Sequence, residues 1–313
     1  MMLFTATGLL FADTRMHTKG IGANPSFYVN LAYKDWYKTQ TEKYRVRTEP
    51  FMLKEQSCSW LLDVPELFSQ RAPGITCMTS LGNKETHEDY IEAHLNDSKG
   101  CGGVMRVAPV GIAFSRIEIE RMDKEAAQIA AITHGHSLGW LPAAVLAHII
   151  RRIVYFKNDY ACIKDIVIEA RNTIAKLWPG DEHIDELVSI IDLAIELSEN
   201  GDDDSTNIKI IGEGWVAEET LAIAVYCSIR YENDFSKAII AAVNHDGDSD
   251  STGAVTGNIV GAWVGFDAID SKWKDNLELF DIIEEVAEDL CHGCQIEKFS
   301  PYRDEEWETK YLI

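Results

Sequence analysis

Three aspartates at alternate positions, Asp246, Asp248 and Asp250, run straight into Ser251 and Thr252 and then into an apolar segment with glycines at 253, 257, 261 and 265. Carboxylates and a hydroxyl are hard oxygen donors, the set that Mg²⁺, Mn²⁺ or Ca²⁺ prefers. At a helix N-terminus, capping and the positive helix end account for one acid or two. Three acids and a hydroxyl exceed that need, and unpaired charge at the mouth of a buried helix is costly to desolvate. The D-x-D-x-D spacing is not an EF-hand loop, which requires Gly at its sixth position and Glu at its twelfth; here these are Ser251 and Gly257.

Three further stretches carry residues able to contact a ligand. In NDSKGCGGVMRVAPVG (96–111), Gly100, Gly102 and Gly103 let backbone N–H groups approach an anion, although the pattern is neither a P-loop nor G-x-G-x-x-G and also fits a tight turn. In THGHSLGW (133–140), the two histidines are two apart and share no helical face, so His134 reads as a hydrogen-bonded core residue or as a ligand contact. In GEGWVAEE (212–219), Trp215 offers either a stacking face or an ordinary core side chain. The C-H-G-C at 291–294 lacks a second pair at zinc spacing and reads as structural thiols.

Helical periodicity dominates the elements that must position these residues. EHIDELVSIIDLAIELSEN puts its apolar residues along one stripe, and similar patterns occur in PSFYVNLAYKDWYKTQ, EAAQIAAITHGH, WLPAAVLAHIIRRIVYF, YACIKDIVIEARNTIAKLW, VAEETLAIAVYCSIRY and LELFDIIEEVAEDL. Strand-like alternation is confined to short pieces such as VGIAF. Joints are expected at Pro73-Gly74, 109–111, Pro179-Gly180, Asn200-Gly201 and 212–214, with NGDDDST (200–206) an exposed loop. Glycines every four residues from 253 cost about 1 kcal/mol each in helix propensity, so this helix should be buried and pressed closely against a neighbour. One all-α domain over 1–313 is the expectation.

The net charge of −22 argues against a nucleic-acid polymer or an anionic membrane as partner, while a small anionic ligand can still be held locally by amides or a cation. Seven scattered cysteines, an odd number, suggest a reduced, cytoplasmic protein. The opening MMLFTATGLLFA lacks the positive flank of a signal peptide and reads as part of a helix. No apolar run approaches the ~18 residues of a membrane span.

Taken together, MLFTATGLL, AYKDWYKTQ, RAPGITC, GCGGVMRVAP, THGHSLGW, GEGW and NHDGDSDSTGAVTGN, in this order, resemble the ADP-ribosylglycohydrolase family, whose fold is an orthogonal all-α bundle. The resemblance implies metal-dependent hydrolysis of the glycosidic bond that links ADP-ribose to a protein or small acceptor. It implies cation ligands at Asp248, Asp250 and Ser251, with Asp246 a lesser candidate. Ser98, Gly100 and Gly102 would hold the diphosphate and nearer ribose, His134 would touch the ligand, and Gly214 with Trp215 would form the adenine side.

Two departures qualify what the resemblance implies. Cys101 stands where the family usually has Asn. The family's Asp-Asp-Thr-Gln, which with the second motif holds two cations, would precede the segment like MLFTATGLL; ADTRM (12–16) has one Asp and follows that segment, so it is no replacement. One weakly held Mg²⁺ or Mn²⁺, or none, is therefore expected, with Asp248 and Asp250 repelling each other and one shifted toward protonation. Asp97 beside the glycine loop is the candidate general base. The alternative reading is a relative that binds ADP-ribose or a similar nucleotide without turnover.

Overall fold

A computed structural model of the chain describes residues 1–22, 24–46, 57–83, 86–113 and 117–312. In chain order the α-helices are α1 (Met2–Lys19), α2 (Pro25–Thr41), α3 (Ile75–Gly82), α4 (Tyr90–Ala93), α5 (Ala108–Ala113), α6 (Ile119–Ala131), α7 (Ser137–Phe156), α8 (Ile163–Leu177), α9 (Ile184–Ser198), α10 (Asp204–Ile211), α11 (Ala217–Arg230), α12 (Phe235–Val243), α13 (Ser249–Val264), α14 (Phe280–His292) and α15 (Glu305–Tyr311). Among the described residues there is no β-strand, only an isolated bridge between Gly100 and Val216. The all-α expectation holds.

Helix α7 forms the centre because it is apolar almost all round, and α5, α6, α8, α11 and α13 pack on it. The stretch Ser137–Asp159 is long and apolar enough to cross a membrane by length and composition, yet 83% of its most apolar window is buried among other helices, as befits a core element. Helix α1 lies between two packings. One face meets α2, where Gly8 lets the two backbones approach, and the other side joins α14 and α15 through Ala6, Leu10, Leu290 and Trp307.

Two sequence expectations are corrected here. Residues 110–113 of VGIAF, read as strand-like, lie in helix α5 (Phe114 is outside the described residues). A five-residue apolar piece does not separate the two periods, and Pro109, second in the helix, loses nothing by lacking an N–H there. The expected break at 109–111 is thus a helix start, with Gly111 pressed on the α7 backbone at Ala147. The loop read over 200–206 is shorter: Asp203 caps α10 by accepting the Thr206 amide at 3.0 Å.

The glycine groove of α13 receives α12. A methyl group added at Gly253, Gly257 or Gly261 would meet Val243, Ile239 or Phe235 in turn, three residues spaced by four along α12. One helix's four-residue ridge thus enters the other's four-residue groove. Gly265 is not part of it; it ends the helix with a positive φ of 82°.

The glycines differ in what they tolerate. At Gly257 an added methyl would rest 3.6 Å from Ile239 Cδ1, so Gly257→Ala should raise stability by up to about 1 kcal/mol. At Gly8 it would fall 2.9 Å from Val29 Cα, a backbone atom, so Gly8→Ala should cost about 1–3 kcal/mol. Urea unfolding of the two variants checks both signs.

Candidate functional site

Asp248 is the residue before α13, the cap position, yet its side chain makes no capping hydrogen bond to the helix amides. The residue is 7% exposed, and its carboxylate instead accepts from the Ser251 hydroxyl at 2.8 Å and from the Cys101 thiol at 3.1 Å. Asp250 follows in the first turn of α13. The facing Asp248 carboxylate, and then partial burial, push its carboxyl above the usual range. The Cys101 thiol is pushed up to about 12 by burial and by Asp248, so it is a hydrogen-bond donor and not a thiolate.

The glycine loop wraps His134. Added methyls at Gly100 and Gly102 would lie 3.5 and 3.0 Å from its ring. His134 is 2% exposed, its Nδ1 is 2.8 Å from the Thr133 hydroxyl, and burial together with the nearby Arg106 guanidinium lowers its pKa to about 3. The ring is therefore neutral at ordinary pH. Arg106 sets this geometry from below: it donates to the Ile129 and Ala130 carbonyls and to Thr133 Oγ1 at 2.7–3.2 Å, and stands 4.5 Å over the Tyr33 ring. A cation at the carbonyl end of α6 is favourably placed. Asn96 stitches the loop to the histidine turn by donating to the Thr133 carbonyl and accepting the Gly135 amide. Ser98 stands beside Gly100 and is 3.3 Å from the Thr76 hydroxyl.

The third loop, 212–216, touches both others. Its Glu213 carbonyl accepts the Asp248 amide at 2.7 Å, Val216 bridges Gly100, and Lys99 O accepts the Ala217 amide at 2.9 Å. Gly214, φ 81°, lies over the Thr252 methyl, a conformation and a clearance that suit glycine alone. Glu219 fastens the turn by accepting the Glu213 and Gly214 amides. Trp215 is 58% exposed, which sets aside the core reading and leaves its ring available for stacking. Lys99 does not face an empty anion site, since it pairs with the buried Glu218 and lies 3.7 Å from Glu186.

Ser98, Gly100, Gly102, His134, Gly214, Trp215, Asp248, Asp250 and Ser251 are thus brought into one connected set by these three loops. Asp97 points elsewhere: its side chain is 84% exposed, pairs with His94 at 3.8 Å and lines a neighbouring basin with His136 and His183. Asp246 is exposed and lines a separate depression with Asn244 and Lys209. Asp13 of ADTRM is taken up by His17 and the Cys294 amide inside the α1–α14 packing. All seven cysteines are free, Cys291 exposed and Cys294 buried. Arg106, Asn96, Glu213 and Glu219 were missed from sequence. For Arg106 alone a signal existed, a charge inside the apolar VMRVAPV.

Two carboxylates and a hydroxyl within one helical turn suit a hard cation, which would relieve the repulsion felt at Asp250. Among the described residues, however, no three His, Cys, Asp or Glu side chains are grouped to hold a metal. The donors present fit at most a cation that keeps much of its water.

The all-α fold has counterparts among known proteins. The chain belongs to the ADP-ribosylglycohydrolase family, whose model matches residues 1–298. It is similar to human ADP-ribosylhydrolase ARH3, 24% identical over 217 residues covering 62% of this chain and 58% of the relative. It is also similar to the ADP-ribosylarginine hydrolase Tri1 of Serratia proteamaculans, 35% identical over 91 residues covering 29% and 24%. The chain spans less than two thirds of the length of its first curated relatives. A solved ADP-ribosylglycohydrolase-related protein complex shares the fold at a TM-score of 0.51 and 20% identity, covering 93% of this chain and 96% of that one.

The buried His134 makes stability pH-dependent. Its folded pKa lies below the unfolded 6.5, so above pH 6.5 neither state is protonated and no penalty arises. As pH falls from about 6.5 toward about 3, only the unfolded chain gains the proton, and this group should remove up to about 1.4 kcal/mol of stability per pH unit. Urea unfolding at pH 7, 6 and 5 should show a shallower loss in His134→Gln.

Proposed function

We propose that the protein hydrolyses the bond joining C1 of the ADP-ribose ribose to a protein side chain or small acceptor, with Mg²⁺ or Mn²⁺ bound at Asp248, Asp250 and Ser251. The observation that carries this reading is the convergence of the three loops, which links the exposed Trp215, the glycine backbone packed on the buried His134 and the Asp248 carboxylate. Family membership and the hydrolase relatives support it.

Each part then has a role that its surroundings allow. The exposed Trp215 ring offers the adenine a stacking face. Gly100 and Gly102 carry no side chain to fend off a diphosphate from the loop backbone. His134, buried and neutral with Nδ1 engaged by Thr133, supports the glycine loop from beneath. As the anomeric C–N or C–O bond breaks, its electron pair leaves with the acceptor, and the carboxylates of Asp248 and Asp250 favour the positive character left on the ribose. A cation held by Asp248, Asp250 and Ser251 would supply a water of lowered pKa. The oxygen of the attacking water bonds to C1, and the proton it loses passes to a carboxylate and from there to the departing acceptor, which leaves as the neutral amine or alcohol. Asp250, exposed but facing Asp248 and with a raised pKa, suits that role better than Asp97, which pairs with His94 and lines a different basin.

A second reading, ADP-ribose binding without turnover, is favoured by one observation: the Cys101 thiol already occupies Asp248 Oδ2. The two readings separate in one set of measurements. Release of free ADP-ribose from ADP-ribosylated arginine, serine or small-molecule conjugates with Mg²⁺ or Mn²⁺ is expected, and Asp250→Asn should lower the rate about 100-fold. No release from any conjugate, with calorimetric binding of ADP-ribose intact, supports the binder. Absence of both overturns the site.

A further inference from the structure

His245 lies outside the roles assigned above, yet both of its ring nitrogens are engaged by the turn that carries Asp248. Nδ1 is 3.1 Å from the Gly247 amide, and an N–H can only donate, so Nδ1 accepts. In a neutral imidazole the proton then sits on Nε2, which is 3.0 Å from Thr252 Oγ1. The Thr252 hydroxyl can receive it, because its own hydrogen is directed to the Ala242 carbonyl at 2.7 Å. One tautomer satisfies all three bonds.

We propose that His245 is a positioning residue of this site, whose Nε2–H tautomer holds the 245–248 turn closed and so keeps the Asp248 carboxylate against Cys101 and Ser251. The Nδ1 bond spans residues i and i+2, the geometry an Asx-turn provides with an Asn or Asp oxygen. It orients the Gly247 peptide where any side chain would strike Glu213, since an added methyl would fall 1.9 Å from the Glu213 carbonyl oxygen. The next amide, that of Asp248, then reaches the same carbonyl. The Nε2 bond fixes Thr252, whose methyl lies under Gly214. Through its two nitrogens His245 therefore ties the acidic turn to α13 and, by way of Thr252, to the 212–216 loop. That this tie serves ligand binding rests on the functional reading above; the tie itself does not.

The test uses the full chain and three variants. Nitrogen NMR of the wild-type imidazole should show Nε2 protonated and Nδ1 bare; a protonated Nδ1 overturns the proposal. Hydrogen exchange at Gly247 and Asp248 should be slow in the wild type, nearly as slow in His245→Asn, whose oxygen can replace Nδ1, and fast in His245→Ala and His245→Gln with an unchanged melting temperature. Mn²⁺ affinity should fall about tenfold in His245→Ala and less in His245→Asn, the scale at which support residues act on metal sites. Wild-type affinity and slow exchange in His245→Ala overturn the proposal. If His245→Ala does not fold, the Asn and Gln pair decides it. If the wild type binds no Mn²⁺, the functional reading fails while the NMR and exchange results still judge His245.

Discussion

The hydrogen bond from the Asp248 amide to the Glu213 carbonyl, 2.7 Å long, is the contact on which the site depends. It forms only because Gly247 has no side chain to hold the two loops apart. Remove it and the acidic turn has no fixed distance to the loop that bears Gly214 and Trp215. The isolated bridge between Gly100 and Val216 adds the glycine loop to the same seam. Three segments distant in sequence are thus sewn together by a few backbone bonds, in a protein whose other backbone bonds run mostly within helices. Such bonds between loops are short and direction-specific, so they hold position in a way that apolar packing alone does not.

Negative charge is the second constraint. A chain of net charge −22 repels anions at long range, and the site itself gathers Asp248 and Asp250. Lys99, the basic residue within the glycine loop, is committed to Glu218 and Glu186. An anionic ligand such as the proposed ADP-ribose is therefore left to backbone amides, aromatic stacking and a cation bound by the carboxylates. The same arrangement gives His134 its neutral state: burial and Arg106 remove the option of adding an imidazolium, so the histidine works by shape and hydrogen bonding and not by charge.

Below the site, rigidity comes from close backbone approach. α12 fills the glycine groove of α13, Gly111 brings α5 onto α7, and Gly103 brings the glycine loop within reach of the Gly139 carbonyl. Close packing of this kind transmits any shift of α13 to the turn it carries, because a dense interior has no slack to absorb it.

Helix type and the stripe of burial on α9 were legible in sequence because periodicity is a local property: the amphipathic pattern over 184–198 and the glycine spacing of α13 translate directly into faces, whereas α11 is buried nearly all round. The candidate loops were legible too, because glycine, histidine and acidic residues in such patterns are unusual and matched a known family order. Other features were decided only by tertiary structure. Whether Asp248 caps its helix or turns to Cys101, whether Asp97 faces the site or the solvent, and which ring nitrogen of His245 accepts all depend on contacts that the sequence does not specify. VGIAF, helical in its described part, shows the same limit at short range, where five apolar residues fit either period until α7 packs against them. A chain's own pattern determines which face of an element is apolar; what that face meets, and hence each buried charge and proton, is set by contacts that exist only once the chain has folded.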